Sequence, residues 1–331
     1  MKKSTVTIAL ALFIIVIVTG TLNIQNFMPP AQVDSIVLGH VPVESFALLY
    51  VAQNQGYFTQ HGLNVTIIDY PTGTDAVKAL TAGSVDIAGS SEYVIAYNAV
   101  ERQNISIIGS IGEAQIVDLI VGNHTGITQP ADLKDKTIAV PKNTVGEFDL
   151  GLFLKRNNLS LSDITLVYYP PGQLANAISN GTVDAVVAWQ LYSEQVKMEL
   201  SEGYISWPLQ TTEPFFSVLS CRNDWLSSHV QTANKLLSAL WDAEEYIQSH
   251  PAETQQIIKA RFNYTDSYIA SVWSRNNCTL TLTAKLQTVM SDESAWMIEN
   301  YLTTQSSMPT ISNYINTDIL KSVKPQAVTM P

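Results

Sequence analysis

The sequence predicts an α/β protein built from two similar halves with a cleft between them. Three observations carry this. The stretch Ala79-Leu80-Thr81-Ala82-Gly83-Ser84-Val85-Asp86 returns 98 positions later as Ala177-Ile178-Ser179-Asn180-Gly181-Thr182-Val183-Asp184. Upstream, Val65-Thr66-Ile67-Ile68-Asp69-Tyr70-Pro71 aligns with Ile164-Thr165-Leu166-Val167-Tyr168-Tyr169-Pro170 if one residue of slack is allowed. Strand-like and helix-like stretches also alternate along both halves. The repeated unit is strand, Pro turn, helix, Gly, strand, in which the Gly supplies the positive φ of a helix C-cap and the Val-Asp pair opens a buried strand. A unit this long fits a duplicated half-domain rather than a solenoid.

Taken in order, Ser35 to Gly39 reads as a strand and His40 to Ser45 as the loop at its carboxyl end. Phe46 to Tyr57 has helical spacing and Val65 to Asp69 is a second strand. Thr74 is a plausible N-cap for a helix to Thr81, and Val85 to Ala88 is the next strand. Ser90 or Ser91 then caps a helix from Glu92 to Val100, and Ile105 to Gly109 is a strand. Ile116 to Val121 reads as a crossover strand into the second half. There the order is strand Thr137 to Val140, helix Val145 to Asn157, strand Ile164 to Tyr168, helix Gln173 to Ser179 and strand Val183 to Ala188. A helix ending near Glu202-Gly203 follows, and Phe215 to Ser220 is the returning strand. Val230 to Ser249 is amphipathic, Pro251 opens another helix, and the remainder is read as mostly helical and packed on the first half. Two crossings make a hinge of two strands. The expected divisions are a signal peptide or anchor at 1–22, a tether at 23–33, a first lobe at 34–117, a second at 118–217, and the first again at 218–331.

Composition narrows the function. With 331 residues and 46% hydrophobic content the chain can bury a sizeable core, and a net charge of −11 with only 18 Lys and Arg argues against nucleic acid. Lys2 and Lys3 precede an apolar run from Ile8 to Val18, the pattern of a secretory signal or an uncleaved anchor, which places the protein outside the cytoplasm. Seven Asn-x-Ser/Thr sequons, at Asn64, Asn104, Asn123, Asn158, Asn180, Asn263 and Asn277, fit an exported glycoprotein or the chance yield of an Asn-, Ser- and Thr-rich chain. Cys221 and Cys278 could pair outside the cell if their distance allows. The five His residues have no metal-ligand spacing, and no nucleophile elbow or phosphate loop is present, so neither a metal nor another cofactor is expected.

Several pieces together resemble the substrate-binding proteins of ABC importers for nitrate, sulfonates and taurine, with their thiamine-pyrimidine relatives. They are Leu48-Leu49-Tyr50-Val51-Ala52-Gln53, Gly56-Tyr57-Phe58, Gly62-Leu63-Asn64-Val65, Asp132-Leu133-Lys134-Asp135-Lys136-Thr137-Ile138-Ala139-Val140, and the two Gly-x-Val-Asp copies with Trp189. The resemblance, over roughly Ser35 to Phe262, implies a two-lobed periplasmic-binding-protein fold of type II, each lobe a mixed sheet flanked by helices. It also implies a monomer that closes on a small ligand and presents it to a membrane permease. The pyrimidine synthase branch of the same fold is echoed at Val145-Gly146-Glu147-Phe148. Its Lys and His positions are Ser90 and Val94 here, and its Cys-rich run is Thr212-Glu213-Pro214-Phe215-Phe216, so a binding protein rather than an enzyme is expected. An anchored surface or sensor protein without a permease is the remaining alternative.

Ligands of open α/β sheets bind beyond the carboxyl ends of the strands, where loops enter helices whose free N–H groups suit anions. That geometry nominates His40, Glu44 and Phe46 after the first strand, Thr72 and Gly73 after the second, Ser90 and Ser91 after the third, and Thr144, Val145 and Gly146 in the second lobe. The hydroxyls either donate to a ligand or serve as plain N-caps, and Trp189 either walls the pocket or fills the core. Glu44, Glu92 and Glu147 lie in or beside these loops, with Lys142 the one cation nearby. The helix N-termini and the resemblance favour a nitrate- or sulfonate-like anion, whereas these carboxylates tell against a simple anion and leave an amine-bearing ligand or a neutral heterocycle open.

Overall fold

The computed structural model describes residues 33–330 except 202 and 211–213. The segment read as signal or anchor, and the tether apart from its last residue, lie outside these. The first half runs β1 (Asp34–His40), α1 (Ala47–Asn54), α2 (Tyr57–Gln60), β2 (Leu63–Asp69), α3 (Gly73–Thr81), β3 (Ile87–Ser91), α4 (Glu92–Val100) and β4 (Ile105–Ala114). The second runs β5 (Val117–Gly122), β6 (Thr137–Val140), α5 (Val145–Arg156), β7 (Thr165–Tyr168), α6 (Leu174–Ser179), β8 (Ala185–Trp189), α7 (Gln190–Leu200) and β9 (Tyr204–Pro208). The chain then returns through β10 (Phe215–Arg222), α8 (Asn223–Ser228), α9 (Val230–Ser249), α10 (Pro251–Phe262), α11 (Asp266–Trp273), β11 (Asn276–Asn277), α12 (Ala284–Glu299) and α13 (Asp318–Val323).

Two mixed sheets result. The first has the order β11-β4-β10-β3-β1-β2 and the second β7-β6-β8-β5-β9. In the first, β1 and β3 are parallel and β10 lies antiparallel between β3 and β4. In the second, β6 is parallel to β7 and β8, and β5 is antiparallel to β8 and β9. Each sheet thus takes its first antiparallel strand from the chain as it arrives from the other half. The changes of sheet fall at Gln115-Ile116 and between Pro208 and Phe215, a few residues ahead of the expected divisions, and all of β10 belongs to the first sheet. The two crossings are tied together, because Gln210 Oε1 accepts from the amides of Ile116 at 2.8 Å and Val117 at 3.3 Å.

The repeat survives down to single hydrogen bonds. Gly83 and Gly181 both take positive φ, 76° and 74°, ending α3 and α6 with an αL residue that costs glycine least. Ser84 N donates to Ala79 O at 2.8 Å, and Thr182 N to Ala177 O at 3.0 Å. Asp86 Oδ2 then accepts from Val37 N, and Asp184 Oδ2 from Thr137 N, both at 2.8 Å. The Val-Asp pairs therefore do not open the strands as expected. β3 and β8 start one residue past each Asp, whose carboxylate instead fastens the turn to the neighbouring strand.

Other differences have local causes. Thr72, not Thr74, caps α3: its hydroxyl accepts from Asp75 N at 3.0 Å. Beyond α7 the chain adds an edge strand that the sequence reading did not place, β9, paired with β5 through Tyr204 to Pro208. Cys221 and Cys278 are free and buried, and burial pushes both thiols up to about 12. Cys221 lies opposite Ser106, whereas Cys278 follows Asn277, which lies opposite Glu113. Seven residues of β4 separate those partners, roughly 20 Å, far beyond disulfide reach. The asparagines of all seven sequons are exposed, and among the described residues no helix is long and apolar enough to cross a membrane.

Candidate functional site

A cavity of about 50 Å³ lies where the two sheets face each other at their helix-bearing ends. Six of the nominated residues line it: Phe46, Gly73 and Ser91 from the first half, and Thr144, Val145 and Trp189 from the second. Val41, Val43, Val94, Ile116, Val117 and Phe215 complete the wall. Gly73 is required by close approach, since a Cβ there would come within 2.8 Å of Ser90 Cβ. Ser91 occupies the N-cap position of α4, yet its hydroxyl caps no amide. Thr144 likewise does not cap α5; its hydroxyl donates to Pro141 O at 2.7 Å. Trp189 ends β8 and meets Tyr192 edge-on at 5.3 Å. Both helices therefore bring the positive ends of their dipoles near the cavity without a side-chain cap, although the Glu92 carboxylate accepts from the amides of Glu92 and Tyr93, and Glu147 N donates to Thr144 O at 3.0 Å.

The other five nominated residues support this wall from behind. His40 is fully buried between Phe46 and Tyr50, with ring centroids at 5.2 and 5.5 Å, and its Nε2 stands 3.4 Å from Asp69 Oδ1. His40, together with Arg261, holds the Asp69 carboxyl down at about 2. Glu44 is buried beside Tyr264 and Arg275, and burial pushes its carboxyl up. Thr72 is occupied as a cap, and Ser90 turns its hydroxyl to Ser91 O at 3.0 Å. Gly146 packs the start of α5 against Val187 of β8.

Two hydrogen bonds cross from one half to the other beside the cavity. Thr74 Oγ1 donates to Asn143 O at 2.6 Å, and Tyr93 Oη donates to Glu147 Oε2 at 3.3 Å. Glu147 also accepts from Asn143 N at 2.9 Å. Burial nevertheless outweighs these bonds and pushes the Glu147 carboxyl up to about 7. The arrangement can enclose a small molecule, donate N–H and O–H groups to it, and stack aromatic faces on it.

Residues 44–254 match the family described as NMT1/THI5 like. The chain belongs to the NMT1/THI5-like family. Its relatives include a candidate binding protein of Brucella abortus (strain 2308), 25% identical over 70% of this chain and 72% of that protein. A formylaminopyrimidine-binding protein of Halalkalibacterium halodurans is 22% identical over 77% of this chain and 78% of its own length. Among solved structures, the alkanesulfonate-binding protein SsuA of Xanthomonas axonopodis pv. citri, bound to MOPS, has the same fold with a TM-score of 0.74. It is 16% identical and covers 87% of this chain and 99% of its own. The periplasmic nitrate-binding protein NrtA of Synechocystis PCC 6803 has a TM-score of 0.69 at 14% identity, covering 89% of each chain. The two-lobed periplasmic-binding-protein fold expected from the sequence is therefore the fold of this NMT1/THI5-like protein, and the relatives named are binding proteins rather than enzymes.

Sequence reasoning missed the apolar part of the wall. Val94, Ile116 and Val117 are indistinguishable in sequence from the core residues around them. Only the meeting of segments from both halves makes them cavity. Phe215, at the start of the returning strand, also lines the cavity.

Proposed function

We propose that this protein is an extracytoplasmic solute-binding protein of an ABC importer, which closes its lobes on a small solute and delivers it to a permease. The observation that supports this best is the cavity itself, walled by strand-end residues of both sheets and flanked by hydrogen bonds that exist only when the lobes are together. A ligand that touches both walls favours the closed state by its differential affinity, which a permease can then read. The N-terminal segment as leader or anchor, N-glycosylation at the exposed sequons, and a monomeric chain belong to the same proposal.

For the solute, the positive dipole ends at the starts of α4 and α5, neither capped by a side chain, favour a nitrate- or sulfonate-type anion. A specific observation favours a second reading, a flat neutral heterocycle: none of the residues lining the cavity is Lys or Arg, and Phe46, Trp189 and Phe215 supply ring faces. A thermal-shift screen against nitrate, alkanesulfonates, taurine, bicarbonate, thiamine pyrimidines and riboflavin separates the two. A solute at about 100 times its Kd adds roughly 2.7 kcal/mol of stability. A shift with one class supports solute binding and names the class, whereas silence across the panel moves the weight to a surface or sensor role without transport.

A further inference from the structure

A second and larger cavity, of about 480 Å³, lies between α5, α12 and the return segment at Leu209, Gln210 and Pro214. It touches the solute cavity only at Val145 and Phe215, which line both. Its buried charge is all of one sign. Glu92 at the start of α4, Asp149 on α5 and Glu293 on α12 line it at 1%, 6% and 0% exposure. Both Glu293 oxygens, Glu92 Oε2 and Asp149 Oδ2 lack any hydrogen-bond partner. The basic residues of the lining, Lys155, Arg156 and Lys285, are exposed at the rim, as are Asp292 and Glu299, and Arg156 donates to Leu209 O at 2.6 Å. Phe148 and Trp296 form an aromatic wall, edge to face at 5.4 Å.

We propose that this cavity binds an organic cation, a protonated amine with an apolar or aromatic body, whose ammonium is received by Glu92, Asp149 and Glu293 and whose body lies against Phe148 and Trp296. Buried carboxyl oxygens without partners are costly, and an ammonium supplies both the charge and the N–H donors they lack. Aromatic faces add cation–π attraction. Among the described residues no three His, Cys, Asp or Glu converge closely enough for a metal ion, and the volume suits a molecule. Burial pushes Asp149 up to about 8 against the opposing Arg156 and a hydrogen bond with Gln210, and it raises Glu92 and Glu293; Asp149 raises Glu92 further, and Glu92, Asp149 and Asp292 raise Glu293 further. Protons therefore occupy the site that the ammonium takes, and binding expels them. This inference does not depend on which solute the cleft holds.

The test is titration calorimetry of the full chain with methylamine, putrescine, benzylamine and uncharged benzyl alcohol at pH 6.5 and 8.5, in two buffers of different ionisation enthalpy. The expected result is that an amine binds with release of protons, about 10-fold tighter per pH unit for each proton expelled, and that benzyl alcohol does not bind. Glu293→Gln, which keeps the shape of the protonated side chain, and Asp149→Asn should each weaken the amine by ~10-fold or more, the scale of one lost buried charge pair. Binding of the solute identified by the screen, retained in both variants, would keep the cleft reading separate. The proposal is overturned if no amine binds at either pH, if benzyl alcohol binds as well as benzylamine, or if both variants bind amine like the parent.

Discussion

At the scale of single residues, adjacent serines have opposite roles. Ser91 presents a hydroxyl that caps nothing to the cavity, whereas Ser90 is fully buried and spends its hydroxyl on Ser91 O. Ser91→Ala should weaken the solute by roughly 10-fold, a lost hydrogen bond to a bound group, and Ser90→Ala should leave affinity nearly unchanged. Calorimetry with the screened solute distinguishes them, and equal losses would mean that the wall is misassigned. Trp189→Ala should cost ~10-fold or more in affinity together with about 3 kcal/mol of stability, because the same ring fills space in the core. Gly73→Val should abolish binding while the chain still folds, since its side chain would meet Ser90 Cβ and Cα at 2.8 and 3.0 Å and push α3 away from the end of β3 at the cavity wall.

At the scale of elements, the duplicated turn predicts paired behaviour. Asp86→Ala and Asp184→Ala each strand a strand amide, Val37 N or Thr137 N, and should each cost about 1–3 kcal/mol in urea unfolding. The two lie in different sheets, so the double variant should lose close to the sum. This symmetry was legible in the sequence, because a helix end, a glycine with positive φ and an anchoring Asp leave a local signature. Most helices as far as α10 were legible for the same reason, because 3.6-residue periodicity is local, whereas α8, α11, α12 and α13 were not individually placed. The edge strand β9 was not, because Tyr204-Ile205-Ser206-Trp207-Pro208 is half exposed and ends in Pro, with its pairing set only by β5 far upstream in sequence. The cavity was legible where loops enter helices and illegible where Val94, Ile116 and Val117 look like any buried aliphatic. Thr74 was misread as a cap because nothing local records its partner, Asn143, in the other half.

For the whole molecule, closure and pH are linked. Tyr93→Phe and Thr74→Val remove the bonds that span the lobes, and each should weaken solute binding by roughly 5-fold by depopulating the closed state; small-angle scattering of the unliganded variants should report a larger radius of gyration. Burial raises Asp149 to about 8 and Glu147 to about 7, so the folded chain holds protons that the unfolded chain has already released. Stability should therefore decline as pH rises from about 4 through 8. At the acid end the depressed Asp69 gives stability that is lost as pH falls through about 2, so the melting temperature should peak near pH 4–5, and Asp149→Asn should flatten the alkaline decline. The placement of β10 sets the order in which the halves can form. The second sheet is built from the unbroken stretch Val117–Pro208, whereas β3 and β4 have no strand between them until Phe215–Arg222 arrives. A chain emerging from its amino end can complete the inserted half while the half that begins the sequence still waits, so the lobe read first is the lobe finished last.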